Sequence, residues 1–114
     1  DTIDAMKMDI EGGEANAIPG CERLLRDGRI KVLLVEFHPD ECAHLGQPVN
    51  ALAKILVDAG YEGYIVDDSL EATRKFAYGK RVSPRTIMTP YSASQMLHVR
   101  PQTLWTAPGV ELPF

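Results

Sequence analysis

Cysteine is scarce in this sequence, while long apolar runs and an excess of positive charge are missing. Cys21 and Cys42 are the two cysteines among 114 residues. Small secreted scaffolds usually carry more, so we expect two reduced thiols in a cytoplasmic protein. No apolar run approaches the roughly 20 residues that cross a bilayer. The net charge of −4 provides no attraction for nucleic acid or for an anionic membrane.

What remains is an ordinary globular composition. Hydrophobic residues make up 45% of the chain and charged residues 25%, which fits one soluble domain with a modest core. The chain opens with Asp1 rather than Met, and an ordered pattern begins within a few residues. We therefore expect the C-terminal part of a larger protein.

Apolar strands alternate with amphipathic helices along the first part of the chain. The pattern predicts strands at 5–10, 30–37, 61–66 and 95–99, helical segments over 14–27 and 48–60, and a loop at 40–47. Pro19 and Gly20 are expected to split the first helical segment. Residues 67–93 form a polar excursion with a short helix at 70–76, and residues 101–114 form a peripheral Pro-rich tail. Such alternation predicts an α/β fold with a mostly parallel sheet.

Titratable residues follow the first two predicted strands. Asp9 and Glu11 end the first strand, and Glu36 and His38 end the second. Parallel neighbours lie roughly 4.8 Å apart, and open α/β sheets bind ligands beyond their carboxyl ends. This strand-end cluster of four residues suits general acid–base chemistry or cation binding. The same residues are equally compatible with solvated loops.

The turn after the first strand contains Gly12 and Gly13, which let the backbone bend sharply and approach a ligand. Glu14 follows in the first turn of a helix. A favourable interaction with the helix dipole explains Glu14 better than a catalytic role does.

The segment HPDECAH brings His38, Cys42 and His44 close together in sequence. Structural zinc sites usually need four ligands, including a C-x-x-C type pair. The spacing here matches no such pattern, so we do not expect zinc at this segment.

Several spaced motifs resemble the C-terminal half of FkbM-type methyltransferases. The segments concerned are IDAMKMDIEGGEANAIPG, LLRDGRIKVLLVEFHP and GYEGYIV, in this order between Ile3 and about Val66. The family pattern K-x-D-x-E-G-x-E is met by Lys7, Asp9, Glu11, Gly12 and Glu14. Further matches are Gly20, Leu24 and Leu25 in the following helix, Glu36 and His38 after the second strand, and Gly60 and Tyr61 after the next helix.

The resemblance implies a Rossmann-like class I methyltransferase sheet, mostly parallel with an antiparallel last strand and flanked by helices. Residues 1–100 would supply its fourth to seventh strands, outside the tail at 101–114. The family uses S-adenosylmethionine, typically to methylate a hydroxyl of a sugar or other small molecule. Asp9, Glu11, Glu36 and His38 would be the catalytic residues, without a metal. His38 or a carboxylate would take the hydroxyl proton.

The cofactor-binding half of the family pattern is missing. No G-x-G loop occurs in the 114 residues. We therefore expect the main cofactor site upstream of Asp1, with Asp9 adjacent to it. On this interpretation the chain alone is inactive and its parent protein is the enzyme.

Two alternatives remain open. The strand-end cluster suits Mg²⁺ or Mn²⁺ in a metal-dependent α/β enzyme. A non-catalytic half-domain acting as an interaction module would expose a sheet edge, so the isolated chain would dimerise or aggregate.

Overall fold

A computed structural model describes residues 1–78, 82–96 and 100–114. Its strands are β1 (Ile3–Met8), β2 (Ile30–Glu36), β3 (Glu62–Val66), β4 (Met88–Pro90) and β5 (Gln102–Thr106). Its α-helices are α1 (Glu14–Gly20), α2 (Glu22–Arg26), α3 (Pro39–His44), α4 (Val49–Asp58) and α5 (Leu70–Tyr78), and 3-10 turns span Pro84–Ile87 and Ala93–Met96. No helix in these described ranges is long and apolar enough to cross a membrane.

The five strands form one mixed sheet in the order β1-β2-β5-β3-β4. β1 and β2 are parallel, and β5 is antiparallel to both β2 and β3. β1, β2 and β3 therefore run in the same direction, as the alternation with helices predicts. However, β1–β2 is the one parallel pair of neighbours among the described strands, because β5 lies between β2 and β3. The expected mostly parallel sheet is wrong in this respect.

The split of the first helical segment is confirmed. α1 ends at Gly20, with Pro19 inside its last turn, and α2 begins at Glu22. Proline lacks the amide proton that a continuous helix needs, so the chain restarts its hydrogen bonding at Cys21. The resulting pair of short helices packs Ile18 and Leu25 into the core, both almost fully buried.

The predicted loop at 40–47 is wrong, because α3 spans Pro39–His44. Pro39 stops the preceding extended segment and also occupies the first turn of this helix, where its missing N–H costs nothing. Asp40 and Glu41 add negative charge at the same end, which the helix dipole favours.

The last strand lies further along the chain than the sequence pattern predicts. Gln95 lies in a 3-10 turn rather than in the predicted strand at 95–99, and residues 97–99 lie outside the described part of the chain. β5 instead spans Gln102–Thr106, so the expectation of a peripheral tail from 101 onward is wrong. Trp105 is fully buried in this strand, and hydrogen bonding on both sides fixes β5 within the sheet.

Trp105 fits because its partner across the β3–β5 pair is Gly63. A Cβ atom at Gly63 would overlap Cζ3 of the indole ring, so a larger residue would displace the ring. The indole N–H donates to the Thr103 hydroxyl at 2.9 Å, and Tyr91 packs on the ring at 5.2 Å between centroids. The most buried large side chain of β5 is therefore both enclosed and hydrogen bonded.

Candidate active site at the ends of two parallel strands

The register of β1 and β2 brings their charged ends together. Met8 pairs with Val35, so Asp9 follows directly beside Glu36, the last residue of β2. β1 ends two residues earlier than predicted, and Asp9 is consequently the first residue of the turn that follows it. His38 lies two residues beyond Glu36 and precedes α3.

Asp9, Glu36 and His38 form a compact group, here called the Asp9–Glu36–His38 site. The Nε2 atom of His38 lies 3.3 Å from Glu36 Oε2 and 3.8 Å from Asp9 Oδ1. One nitrogen or oxygen from each residue lies within 4.8 Å of the others. His38 is buried, whereas the Asp9 side chain is 40% exposed, so one side of the site faces solvent.

Glu11 does not join this group. Its φ of 51° places it in the left-handed region, and its side chain is exposed. A strand-end cluster of all four residues requires that β1 stay extended as far as residue 10, whereas β1 ends at Met8. The structure therefore brings three of the four predicted residues together and leaves Glu11 apart from them.

Glu14 is the partner of His38 that the sequence interpretation missed. Its Oε1 lies 2.7 Å from Nδ1 of His38, and both side chains are almost completely buried. The helix dipole contributes at this position, but the contact with His38 explains why a carboxylate is buried here. A sequence signal existed, because Glu14 lies one turn before the buried Ile18 and so on the inner face of α1.

Gly12 allows the turn after β1 to approach α3. Its φ is +100°, and a Cβ atom here would lie 2.5 Å from the Cβ of Glu41. Glycine is thus required both for the backbone conformation and for the close approach. This approach positions Glu14 beside His38 and beside the buried thiol of Cys42, whose Sγ lies 3.9 Å from Glu14 Oε2.

The thiol of Cys42 lies beside the Glu14–His38 pair and outside the Asp9–Glu36–His38 site. Burial and the charge of Glu14 raise the pKa of Cys42, so its thiol stays protonated at neutral pH. Cys42 and His44 are absent from the group of potential ligands around His38 in the described ranges, and His44 is exposed. The expectation that HPDECAH is not a zinc motif stays a prediction.

The carboxyl group of Glu36 carries the clearest electrostatic effect. A hydrogen bond with Asp9, burial and the charge of Asp9 raise the pKa of Glu36, while the charges of His38 and Arg100 oppose the rise. The Gln102 side-chain amide on β5 donates a hydrogen bond to Oε1 of Glu36. Glu36 belongs to β2, but its side chain is therefore oriented by a residue of β5.

The imidazole of His38 is biased toward its charged form. Burial of the ring opposes protonation, yet the hydrogen bond to Glu14 and the charges of Glu14 and Glu36 outweigh burial and raise the pKa of His38. The carboxylates of Asp9 and Glu36 thus lie near Nε2 of the ring, and the carboxylate of Glu14 is hydrogen bonded to Nδ1. Such a site attracts a positive charge, whether a proton, a metal ion or a cationic group of a ligand.

Comparison with protein families gives this geometry a context. A sequence model of the methyltransferase FkbM domain matches residues 1–87. The chain belongs to the FkbM methyltransferase domain family. Its resemblance to that family is thereby confirmed, and the FkbM match contains Asp9, Glu14, Glu36 and His38. Searches of curated proteins and of solved structures gave no match.

The FkbM match ends before β4 and β5. β5 nevertheless lies against β2 and supplies Gln102 to the site. The site therefore depends on chain beyond the matched segment.

Proposed function

We propose that this chain is part of an S-adenosylmethionine-dependent methyltransferase that methylates a hydroxyl of a sugar or other small molecule. Membership of the FkbM family supports methyl transfer. The sheet supports the C-terminal half of a Rossmann-like class I domain, because β1, β2 and β3 run in one direction and the last strand is antiparallel. On this proposal β1, β2, β3 and β5 correspond to the fourth, fifth, sixth and seventh strands of that fold.

The observation that carries the proposal is the Asp9–Glu36–His38 site at the carboxyl ends of two parallel strands. Ligands of open α/β sheets bind at this end. S-adenosylmethionine, when bound, supplies an electrophilic methyl group on a positively charged sulfonium. The open side of the site, where Asp9 is partly exposed, suits both this positive charge and an acceptor hydroxyl.

The residues of the site then have distinct tasks. Methylation of an alcohol requires that the oxygen lose its proton as it attacks, so a group at the site must accept or displace that proton. Asp9 and Glu36 present carboxylate oxygens to the open side, and Glu14 fixes the ring of His38 from behind. Glu11, exposed and outside the group, is expected to contribute less than these residues.

Most contacts to the cofactor are expected from sequence outside these 114 residues, because the chain has no G-x-G loop. Calorimetric titration of S-adenosylmethionine into the chain and into a longer protein with upstream sequence tests this division. Binding by the longer protein alone supports a divided pocket. Absence of binding by both removes the cofactor assignment.

A matched pair of variants tests the site in the longer protein. Asp9→Asn should lower methyl transfer at least about a hundredfold, which is the low end for loss of a proton-transfer group. Asp4→Asn serves as the control, because Asp4 is exposed on β1 and pairs with Lys31 away from the site. Equal rates for both variants would contradict the assignment of the site.

A further inference from the structure

We propose that Asp9, Glu36 and His38 bind one divalent transition-metal ion, with Mn²⁺ as the best match. Ion binding itself is independent of the proposed function, whereas a role for the ion in acidifying the acceptor hydroxyl rests on it. The proposal replaces the expectation of a site without a metal. Distances, the fixed tautomer of a buried histidine and access from solvent support it.

The distances suit one shared ion. Ligand atoms at about 2.1–2.4 Å from a metal lie about 3–4 Å apart when they occupy neighbouring positions. Nε2 of His38 lies 3.3 Å from the Glu36 oxygen and 3.8 Å from the Asp9 oxygen, and the whole set fits within 4.8 Å. A small adjustment of the partly exposed Asp9 side chain completes the contact.

His38 provides the observation that is independent of the acidic residues. Its side chain is 3% exposed, and its Nε2 lies at ion-pair distance from both carboxylates, 3.3 Å from Glu36 Oε2 and 3.8 Å from Asp9 Oδ1. Nδ1 donates to Glu14, which leaves the Nε2 lone pair free in the neutral ring. Ligating histidines in metal sites characteristically donate their second N–H to a carboxylate in this way.

The burial of Glu14 strengthens this argument. A fully buried carboxylate is costly, and a hydrogen bond from His38 with a weak one from the Cys42 thiol compensates it only in part. An ion on Nε2 would make the ring a stronger donor at Nδ1 and would add positive charge near three carboxylates. The Glu14–His38 pair is thus more favourable with a cation at the site than without one.

The choice of ion follows from the ligands. Two carboxylate oxygens favour hard ions such as Mg²⁺ and Mn²⁺, whereas imidazole favours transition metals over Mg²⁺. Mn²⁺ satisfies both preferences. Asp9 is 40% exposed and Glu36 21% exposed, so an ion can enter and retain open positions for water or a substrate oxygen. A coordinated hydroxyl loses its proton more easily.

Electron paramagnetic resonance of added MnCl₂ tests the site without any cofactor. Wild-type protein should bind one Mn²⁺ and remove its free-ion signal. Asp9→Asn should weaken binding at least about tenfold, and Glu14→Gln, which acts on the site through His38, about tenfold to a hundredfold. Asp4→Asn should bind as the wild type does, because its carboxylate lies on β1 outside the site.

Two results would overturn the metal site. One is an unchanged free Mn²⁺ signal with wild-type protein, which would mean that a proton on His38 already satisfies the carboxylates. The other is equal Mn²⁺ affinity of the wild type and Asp9→Asn. Methyl transfer that persists at full rate in EDTA, with no Mn²⁺ bound, refutes a role for the ion in acidifying the hydroxyl and leaves the proposed function standing. Mn²⁺ binding without any methyl transfer would support the metal site and count against the proposed function.

Discussion

Gly63 on β3 and Gly12 after β1 serve opposite purposes. At Gly63 the missing side chain makes room for an apolar ring, and Trp105 is fully buried there. At Gly12 the missing side chain lets a turn approach α3, and that approach brings buried and partly exposed acids together. The first arrangement stabilises the fold, whereas the second concentrates like charges at some cost in stability. The comparison separates a stabilising region around Trp105 on β5 from a chemical region at the ends of β1 and β2.

Trp105→Ala should give the largest loss of stability. Truncation of a fully buried tryptophan costs about 3–5 kcal/mol, because the transfer free energy is lost and a cavity remains. Urea unfolding followed by circular dichroism measures the change. Tyr78→Ala is the control, since Tyr78 is 89% exposed and should shift the unfolding free energy by less than about 0.5 kcal/mol. Equal effects of the two variants would contradict the assignment of β5 as the stabilising region.

Gly12→Ala should have the next largest effect. The substitution combines strain at positive φ with a contact of 2.5 Å to the Cβ of Glu41, and we expect a loss of about 2–3 kcal/mol. Gly46→Ala is a matched control, because Gly46 also has positive φ but has open space around its Cβ position. The difference between the two variants in urea unfolding isolates the contact with α3. A difference near zero would mean that the turn does not depend on close approach.

Glu14→Gln should have a moderate effect on stability, about 1–2 kcal/mol. The amide oxygen still accepts from Nδ1 of His38, but the charge that strengthens this buried hydrogen bond is lost. Thermal unfolding measures the change, with Glu22→Gln in the exposed pair with Arg26 as the control. Stability gained by Glu14→Gln would show that the buried charge is an uncompensated burden rather than a partner of His38.

Asp9→Asn should change stability least, within about 0.5 kcal/mol, because the side chain is 40% exposed. Removing the charge of Asp9 also relieves its repulsion with Glu36, so we expect either no change or a small gain in the free energy of unfolding. Chemical unfolding without added metal measures this. The same variant should nevertheless lose Mn²⁺ binding and methyl transfer. A destabilisation as large as that of Trp105→Ala would contradict the division between a stabilising and a chemical region.

The parts of the fold that local pattern determines could be predicted from the sequence. Pro19 and Gly20 predict the break between α1 and α2, and the β-branched run of β2 predicts a buried strand. β5 could not be predicted, because QTLWT follows a proline and its place depends on pairing with β2 and β3, which are distant in sequence. Pairing between distant segments leaves no periodic signal within either of them.

The candidate site divides in the same way. The rule that parallel strands end at one edge predicted that Asp9, Glu36 and His38 approach one another, and the structure confirms their proximity; their catalytic roles stay a prediction. The same reasoning wrongly placed Glu11 beside Asp9, because it assumed that β1 continues to residue 10. Gln102 was missed entirely, since its contact with Glu36 exists only once β5 enters the sheet.

The central place of β5 also affects how the molecule is made. This strand emerges from the ribosome after the other four, yet it must enter between two that were synthesised much earlier. Until it arrives, β2 and β3 each offer an open row of amide and carbonyl groups to any extended chain nearby. The nascent chain is thus most prone to wrong pairing in the interval before β5 emerges, and chaperones that shield strand edges should matter most in that interval.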